Sequence, residues 1–276
     1  MKKEFLDVWV HDDGKLEELL KKKINKREKL HQWPLSYVEK ITLEDDTRVV
    51  YKSQHSAASV EKEFYSNIKM PFLTSPIYTE TFENCDILIL PYLDYPVFGK
   101  TPESDWDRVI TEINDMIQGC SGMPVFFDLS SVEKVMQIID NVGVIFHDKI
   151  EYQDFMTLKN QIPRLIDVCY NTGKIGYVHG DLNPSNVLIE NGKPRYILDW
   201  QRPMIAPVLL ENALAFRLAR YDAIARYGEF GILAIICHFI WYSYACKKLL
   251  PFVYDIASKL LSEIVDIINK KTNKIL

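Results

Sequence analysis

Residues 179–189 read HGDLNPSNVLI: a histidine, an acid and two asparagines within eight residues, running straight into an apolar segment. Moving a phosphoryl group from a nucleotide needs a divalent cation across the phosphates, oxygen ligands for that cation, and a carboxylate aimed at the acceptor hydroxyl. Asp181 and Asn186 lie five positions apart in one loop, and Pro184 stiffens the path between them. Beyond Asn186 come Val-Leu-Ile, a turn at Glu190-Asn191-Gly192, and a second short run, RYILDW, carrying Asp199 at its end. A hairpin of that size returns Asp199 to the side of Asn186. The spacing therefore predicts two oxygen ligands for a metal, Asn186 and Asp199, with Asp181 left to face an acceptor as base or positioner. Polarity alone marks a connector as readily as a site. The second acid at the far end of the hairpin is what separates the two readings.

Outward from that loop, the bulk properties narrow the classes. A chain of 276 residues that is 47% hydrophobic can bury a large core in one domain or two lobes. A formal charge of −5 argues against a nucleic-acid partner, which calls for a basic excess. The charge is uneven: residues 91–160 hold 12 acids against 5 bases, and residues 201–276 hold 6 against 10. The acidic middle fits a cationic substrate, and it fits a plain solvated helical surface as well. Five scattered cysteines without CxxC spacing imply a reducing, cytoplasmic setting, with neither a disulfide framework nor a zinc site. The run from Phe230 to Cys246 is 17 residues long, contains His238 and Ser243, and falls short of a membrane span. A buried core helix, and no membrane partner, is the expectation there.

The order of elements follows from periodicity and punctuation. Residues 14–30 are charged and helical by composition, SYVEKITL and TRVVYKS (within 36–53) read as a strand hairpin, and 57–69 look helical. CDILILPYL (85–93) reads as a buried strand stopped by proline. Helices are expected over 104–118, 131–146, 150–170 and most of 208–270, with a strand-rich island at 175–200. The result is a small mixed N-terminal lobe followed by a large helical one.

HGDLNPSNVLI followed by ILDW, with the two aspartates 18 positions apart, resembles the aminoglycoside phosphotransferase/choline kinase family. The kinase pattern H-R-D-x-x-x-x-N is met with Gly180 in place of the arginine. The resemblance implies an α+β, bilobal protein-kinase-like fold: an antiparallel-sheet N-lobe over residues 1–93, a hinge at about 90–96, and a helical C-lobe over 97–276. The C-lobe would carry the catalytic loop 179–186 and a metal-binding strand end at 197–200. The implied cofactors are ATP and Mg2+. Asp181 takes the catalytic role, Asn186 and Asp199 the metal roles, and His179 braces the loop. Lys52, ending RVVYK, stands where the family places its phosphate lysine, and Glu61 in EKEFY matches the helix glutamate that pairs with it; Glu63 is the competing candidate. In the linker, main-chain groups of Pro91, Tyr92 and Leu93 would face adenine.

The chain also departs from the family. Residues 15–98 contain no glycine, so HQWPLS (31–36) would have to cover the nucleotide, with Ser36 touching a phosphate. Past Asp199, Glu211 stands where many members carry an aspartate, one methylene shorter. Protein substrates are disfavoured, because Asn183 replaces the serine/threonine-kinase lysine and neither Phe-Gly nor A-P-E follows Asp199. The acceptor expected is a small-molecule hydroxyl, of aminoglycoside, amino alcohol, sugar or nucleoside type. Trp200, Trp241, Tyr242 and Tyr244 offer an aromatic cage for a quaternary amine, or else ordinary core packing. The competing function is a catalytically silent nucleotide-binding or scaffolding protein of the same fold, which would bind ATP without turnover.

Overall fold

The first 60 residues show how pairing overrides local composition. In the computed structural model, which describes residues 2–5, 8–99, 103–215 and 220–272, a short hairpin of β1 (Lys2–Phe5) and β2 (Val8–Val10) precedes helix α1 (Asp13–Leu20). Asp12 caps α1 by accepting the Lys15 N–H, and Lys21 ends it in a left-handed conformation at φ 55°. The helix expected over 14–30 therefore stops at Leu20, and Ile24–Trp33 forms strand β3 instead. The helical preference of the lysine-rich run is worth only tenths of a kcal/mol per residue, about what one cross-strand pair contributes, and β3 gains a long ladder, broken by two register shifts, against β4 (Ser36–Leu43). Its charges suit an edge strand, which is where it lies.

The chain continues through β5 (Arg48–His55), α2 (Glu61–Asn67), β6 (Tyr78–Phe82), β7 (Cys85–Pro91) and α3 (Glu103–Gln118). Next come β8 (Phe127–Asp128), α4 (Val132–Gly143), α5 (Tyr152–Thr172), β9 (Ile175–Val178) and the hairpin β10 (Val187–Glu190) and β11 (Lys193–Ile197). It closes with β12 (Met204–Pro207), α6 (Leu210–Ala215), α7 (Arg220–Tyr227), α8 (Glu229–Lys248) and α9 (Tyr254–Thr272). The expected hairpin 36–53, strand 85–93, helices 104–118, 131–146 and 150–170, and strand island are all found. Residues 216–219, inside the expected helical stretch, lie outside the described residues.

Two compact units result: Met1–Phe126 with Asn183–Pro203, and Phe127–Leu182 with Met204–Leu276. The first holds an antiparallel sheet in the order β3-β4-β5-β7-β6. One face of that sheet (Tyr37, Ile41, Val49, Tyr51, Ile87, Ile89) is sealed by Val8, Val10 and Leu16. The second unit is built on α4, α5, α6, α8 and α9, with the small sheet β8-β12-β9. Helix α8, apolar and long enough to cross a membrane by length alone, has 13 of its 20 residues buried in this unit's core. Among its buried residues is Gly231, where an added Cβ would sit 2.5 Å from the Ala223 carbonyl oxygen of α7. Backbone cannot yield as a side chain tip does, so Gly231→Ala is expected to lower stability by about 1–3 kcal/mol. Urea unfolding checks this; an unchanged midpoint would mean that the two helices do not approach so closely.

Candidate active site

In the sheet unit, Lys52 projects from β5 and is 7% exposed. Its Nζ lies 2.5 Å from Glu61 Oε2 and 2.5 Å from Asp199 Oδ1. Of the two glutamates in EKEFY, Glu61 makes the pair, and Glu63 is exposed. Burial works against the Lys52 ammonium, but the Asp199 and Glu61 carboxylates outweigh it and hold the lysine above its ordinary value. Burial pushes the Glu61 carboxyl up, more than Lys52 pulls it down.

The sequence builds this cluster through aromatic packing. Glu61 and Phe64 are three apart on α2 and so share a face. Phe64 stacks on Trp200 at 4.3 Å and 11°, and Phe72 adds a second stacked contact at 5.8 Å. Trp200 is fully buried and donates its Nε1–H to the Ile197 carbonyl at 2.9 Å. Val60 N–H reaches the Gln201 carbonyl at 3.0 Å, and Ile197 N–H reaches Phe72 at 3.1 Å. Residues on both sides of Asp199 are thereby tied to the α2 region, and Asp199 itself takes φ 66° at the turn. Trp200 is thus a core residue and not part of an aromatic cage, because its ring is enclosed by Phe64 and Phe72.

Asn186 enters through the hairpin. Asn183 caps the turn Pro184–Asn186, and the Asn186 N–H returns to the Asn183 carbonyl at 2.9 Å. Leu198 N–H donates to the Asn186 carbonyl at 2.8 Å, so the residue before Asp199 is bonded directly to Asn186. Two oxygen side chains at this spot fit a hard cation that takes its remaining ligands from phosphates and water.

The open face of the sheet carries a second feature. The registers Val38↔Lys52, Val50↔Leu90 and Lys52↔Leu88 put Val38, Val50, Lys52, Leu88 and Leu90 on one face. Val38 and Val50 are only partly buried, unlike their neighbours on the sealed face. Tyr92 N–H donates to the Arg48 carbonyl at 3.1 Å. By the alternation of an antiparallel ladder, Pro91 then sits between hydrogen-bonding positions, where its missing N–H costs nothing. The main-chain groups of Pro91 therefore point away from β5, and Leu93 lies past the end of β7. Ser36, 3% exposed, starts β4 beside the Pro34-Leu35 turn, and His55 N–H ties that turn to β5 by donating to the Leu35 carbonyl at 2.8 Å.

In the helical unit, loop 179–182 wraps the Glu211 carboxylate. His179 N–H donates to Glu211 Oε2 at 2.5 Å and Gly180 N–H at 3.3 Å. His179 is fully buried, and its Nδ1 accepts the Asp181 N–H at 3.3 Å. Gly180 has φ 81°, a conformation that favours glycine and would strain an arginine at this position. Asp181 is 6% exposed. Burial pushes the Glu211 carboxyl up to about 7, against the pull of the loop amides of Gly180, His179 and Leu182. Glu211 was legible only as a residue in the place of a shorter acid; its amide partners were not.

Comparisons with known proteins identify the fold and one matching segment. Residues 142–231 match the family model described as the phosphotransferase enzyme family. No curated protein sequence matches the chain. By structure, the chain is similar to a thermostable mutant of aminoglycoside phosphotransferase APH(4)-Ia in its apo form, with 14% identity and a TM-score of 0.63 over 92% of this chain and 98% of that one. It is also similar to the streptomycin–ATP–APH(2")-IIa ternary complex, with 13% identity and a TM-score of 0.58 over 94% and 97%. Macrolide 2'-phosphotransferase MphH from Brachybacterium faecium aligns with 15% identity and a TM-score of 0.57 over 90% and 95%. The fold is therefore the α+β, kinase-like fold of these phosphotransferases, as the sequence resemblance implied.

A raised carboxyl contributes stability below its unfolded pKa and loses it as pH rises through the folded value. For Glu211 that window runs from about 4.5 to about 7. Glu211→Gln keeps an acceptor for the loop amides, so its melting temperature should fall less than the wild type's between pH 5 and 8. Parallel pH profiles would show that Glu211 does not titrate in that window. Glu211→Ala leaves buried N–H groups unpaired and should cost about 2 kcal/mol or more.

Proposed function

We propose that this chain is an ATP- and Mg2+-dependent phosphotransferase that moves the γ-phosphoryl group to a hydroxyl of a small molecule. The observation that carries the reading is the Lys52–Glu61–Asp199 cluster, assembled beside Asn186 by the Phe64–Trp200 stack. Lys52 steers the nucleotide phosphates, and Glu61 fixes Lys52. Asn186 and Asp199 would hold Mg2+, which would neutralise charge developing on the phosphates. Pro91 to Leu93 present main-chain groups to adenine, with Tyr92 contributing position through its ladder bond. Ser36 lies at the hairpin turn that covers the phosphates.

Asp181 is the base or positioner: the acceptor oxygen bonds to the γ-phosphorus, the bond to ADP breaks, and the hydroxyl proton passes to the Asp181 carboxylate. His179 and Glu211 hold that loop. The matched family segment and the similar folds support small-molecule phosphorylation; one of those structures contains streptomycin and ATP. An aminoglycoside, amino alcohol, sugar or nucleoside is the acceptor class, and the enzyme is read as cytoplasmic.

The test is ATP consumption with magnesium across a panel of those acceptors. At least one should stimulate turnover, and Asp181→Asn should lose it by roughly 10²-fold or more while its thermal shift with ATP–Mg2+ persists. Turnover that survives in Asp181→Asn would remove the assigned base. Asp199→Ala is expected to abolish magnesium-dependent turnover with the fold intact by circular dichroism; near wild-type turnover would take the metal role from Asp199.

A further inference from the structure

The hinge is held from outside as well as within the ladder. Tyr92 bonds through its N–H to the Arg48 carbonyl, and the Arg48 guanidinium lies over the Tyr92 ring, 4.9 Å from its centroid. Lys40 Nζ approaches the same ring at 5.5 Å. Arg48 Nη2 then reaches Asp94 Oδ2 at 2.8 Å. Arg48 shares the face of Val50 and Lys52 by strand alternation, and Tyr92 lies opposite it. One arginine therefore grips the hinge at residue 92 by main chain and ring and at residue 94 by charge. A hinge needs no such grip to continue a strand, since the ladder bond alone would do that.

We propose that Arg48 and Asp94, closing over Tyr92, are specificity-determining residues that make the site select adenine over guanine nucleotides. The proposal rests on the reading of residues 91–93 as the base-facing edge. That edge offers, in order, the Pro91 carbonyl as acceptor and the Leu93 N–H as donor. Adenine presents the complement, its 6-amino group as donor and N1 as acceptor. Guanine presents the reverse, O6 as acceptor and N1–H as donor, so two acceptors and two donors face each other. Guanine pairs with such an edge only if the hinge shifts by about one peptide position, bringing the Leu93 N–H to O6. The Arg48 clamp opposes that shift at two residues at once. Pro91 sharpens the selection, because it has no N–H to offer O6.

The experiment is calorimetric titration of the full chain with MgADP and MgGDP, comparing wild type, Arg48→Ala, Asp94→Ala and the double variant. Wild type should favour MgADP; Arg48→Ala should shrink that preference about fivefold, the equivalent of an exposed ion pair together with a cation–π contact, and Asp94→Ala, which removes the ion pair alone, about twofold. The double variant should match Arg48→Ala, because Arg48 takes part in both contacts and Asp94 in one. Melting temperatures separate this from simple destabilisation, which would weaken both nucleotides alike and leave their ratio unchanged. A ratio unchanged in the variants, or a wild type that binds both nucleotides equally, overturns the clamp alone. A wild type that binds neither overturns the nucleotide-site reading itself.

Discussion

Everything proposed for this protein depends on one buried cation held between two acids. Lys52 meets Glu61 and Asp199 at 2.5 Å each, and two carboxylates against one ammonium leave the cluster net negative. Taking such groups out of water costs several kcal/mol per ion, and a well-packed apolar triad would serve stability as well or better. A fold that keeps the charges has a use for them. The packing that enforces them is apolar: Phe64 and Phe72 enclose Trp200, and the chain on either side of Asp199 is fastened to α2 and its surroundings. In the proposed site charge supplies the chemistry, and stacked rings hold the charges in place.

Loop 179–182 is organised by the opposite device, an acid bonded to main-chain amides. Glu211 spends its carboxylate on the amides of His179 and Gly180. The extra methylene relative to the family's aspartate does not prevent this contact. Its consequence is a carboxyl driven up to about 7 by burial, so the loop carrying Asp181 hangs on a group that changes charge near neutral pH.

Much of the site was legible because its chemistry demands particular residues at particular spacings. HGDLNPSN with ILDW, the strand lysine and the E-x-x-F helix could each be located by number. Glu61 was separable from Glu63 only by pattern, and the ion pair now distinguishes them. What was not legible depended on pairing across the chain. Strand β3 carries a helix former's composition, and only its ladder with β4 makes it a strand. The short strands β6 and β12 lack enough alternation to announce themselves. Trp200 could be read as core packing or as part of a ligand cage, and only its burial under Phe64 and Phe72, a tertiary fact, decides between them. The grip of Arg48 on Tyr92 and Asp94 joins residues 44 and 46 positions away in sequence, which no local pattern encodes.

The measurement that bears most directly on the central claim is phosphorus NMR of the chain incubated with ATP, magnesium and the acceptor panel. A phosphotransferase converts ATP to ADP with a new phosphomonoester resonance that appears only when its acceptor is present. An unchanged ATP spectrum with every acceptor, or ADP accompanied only by inorganic phosphate, would contradict the account.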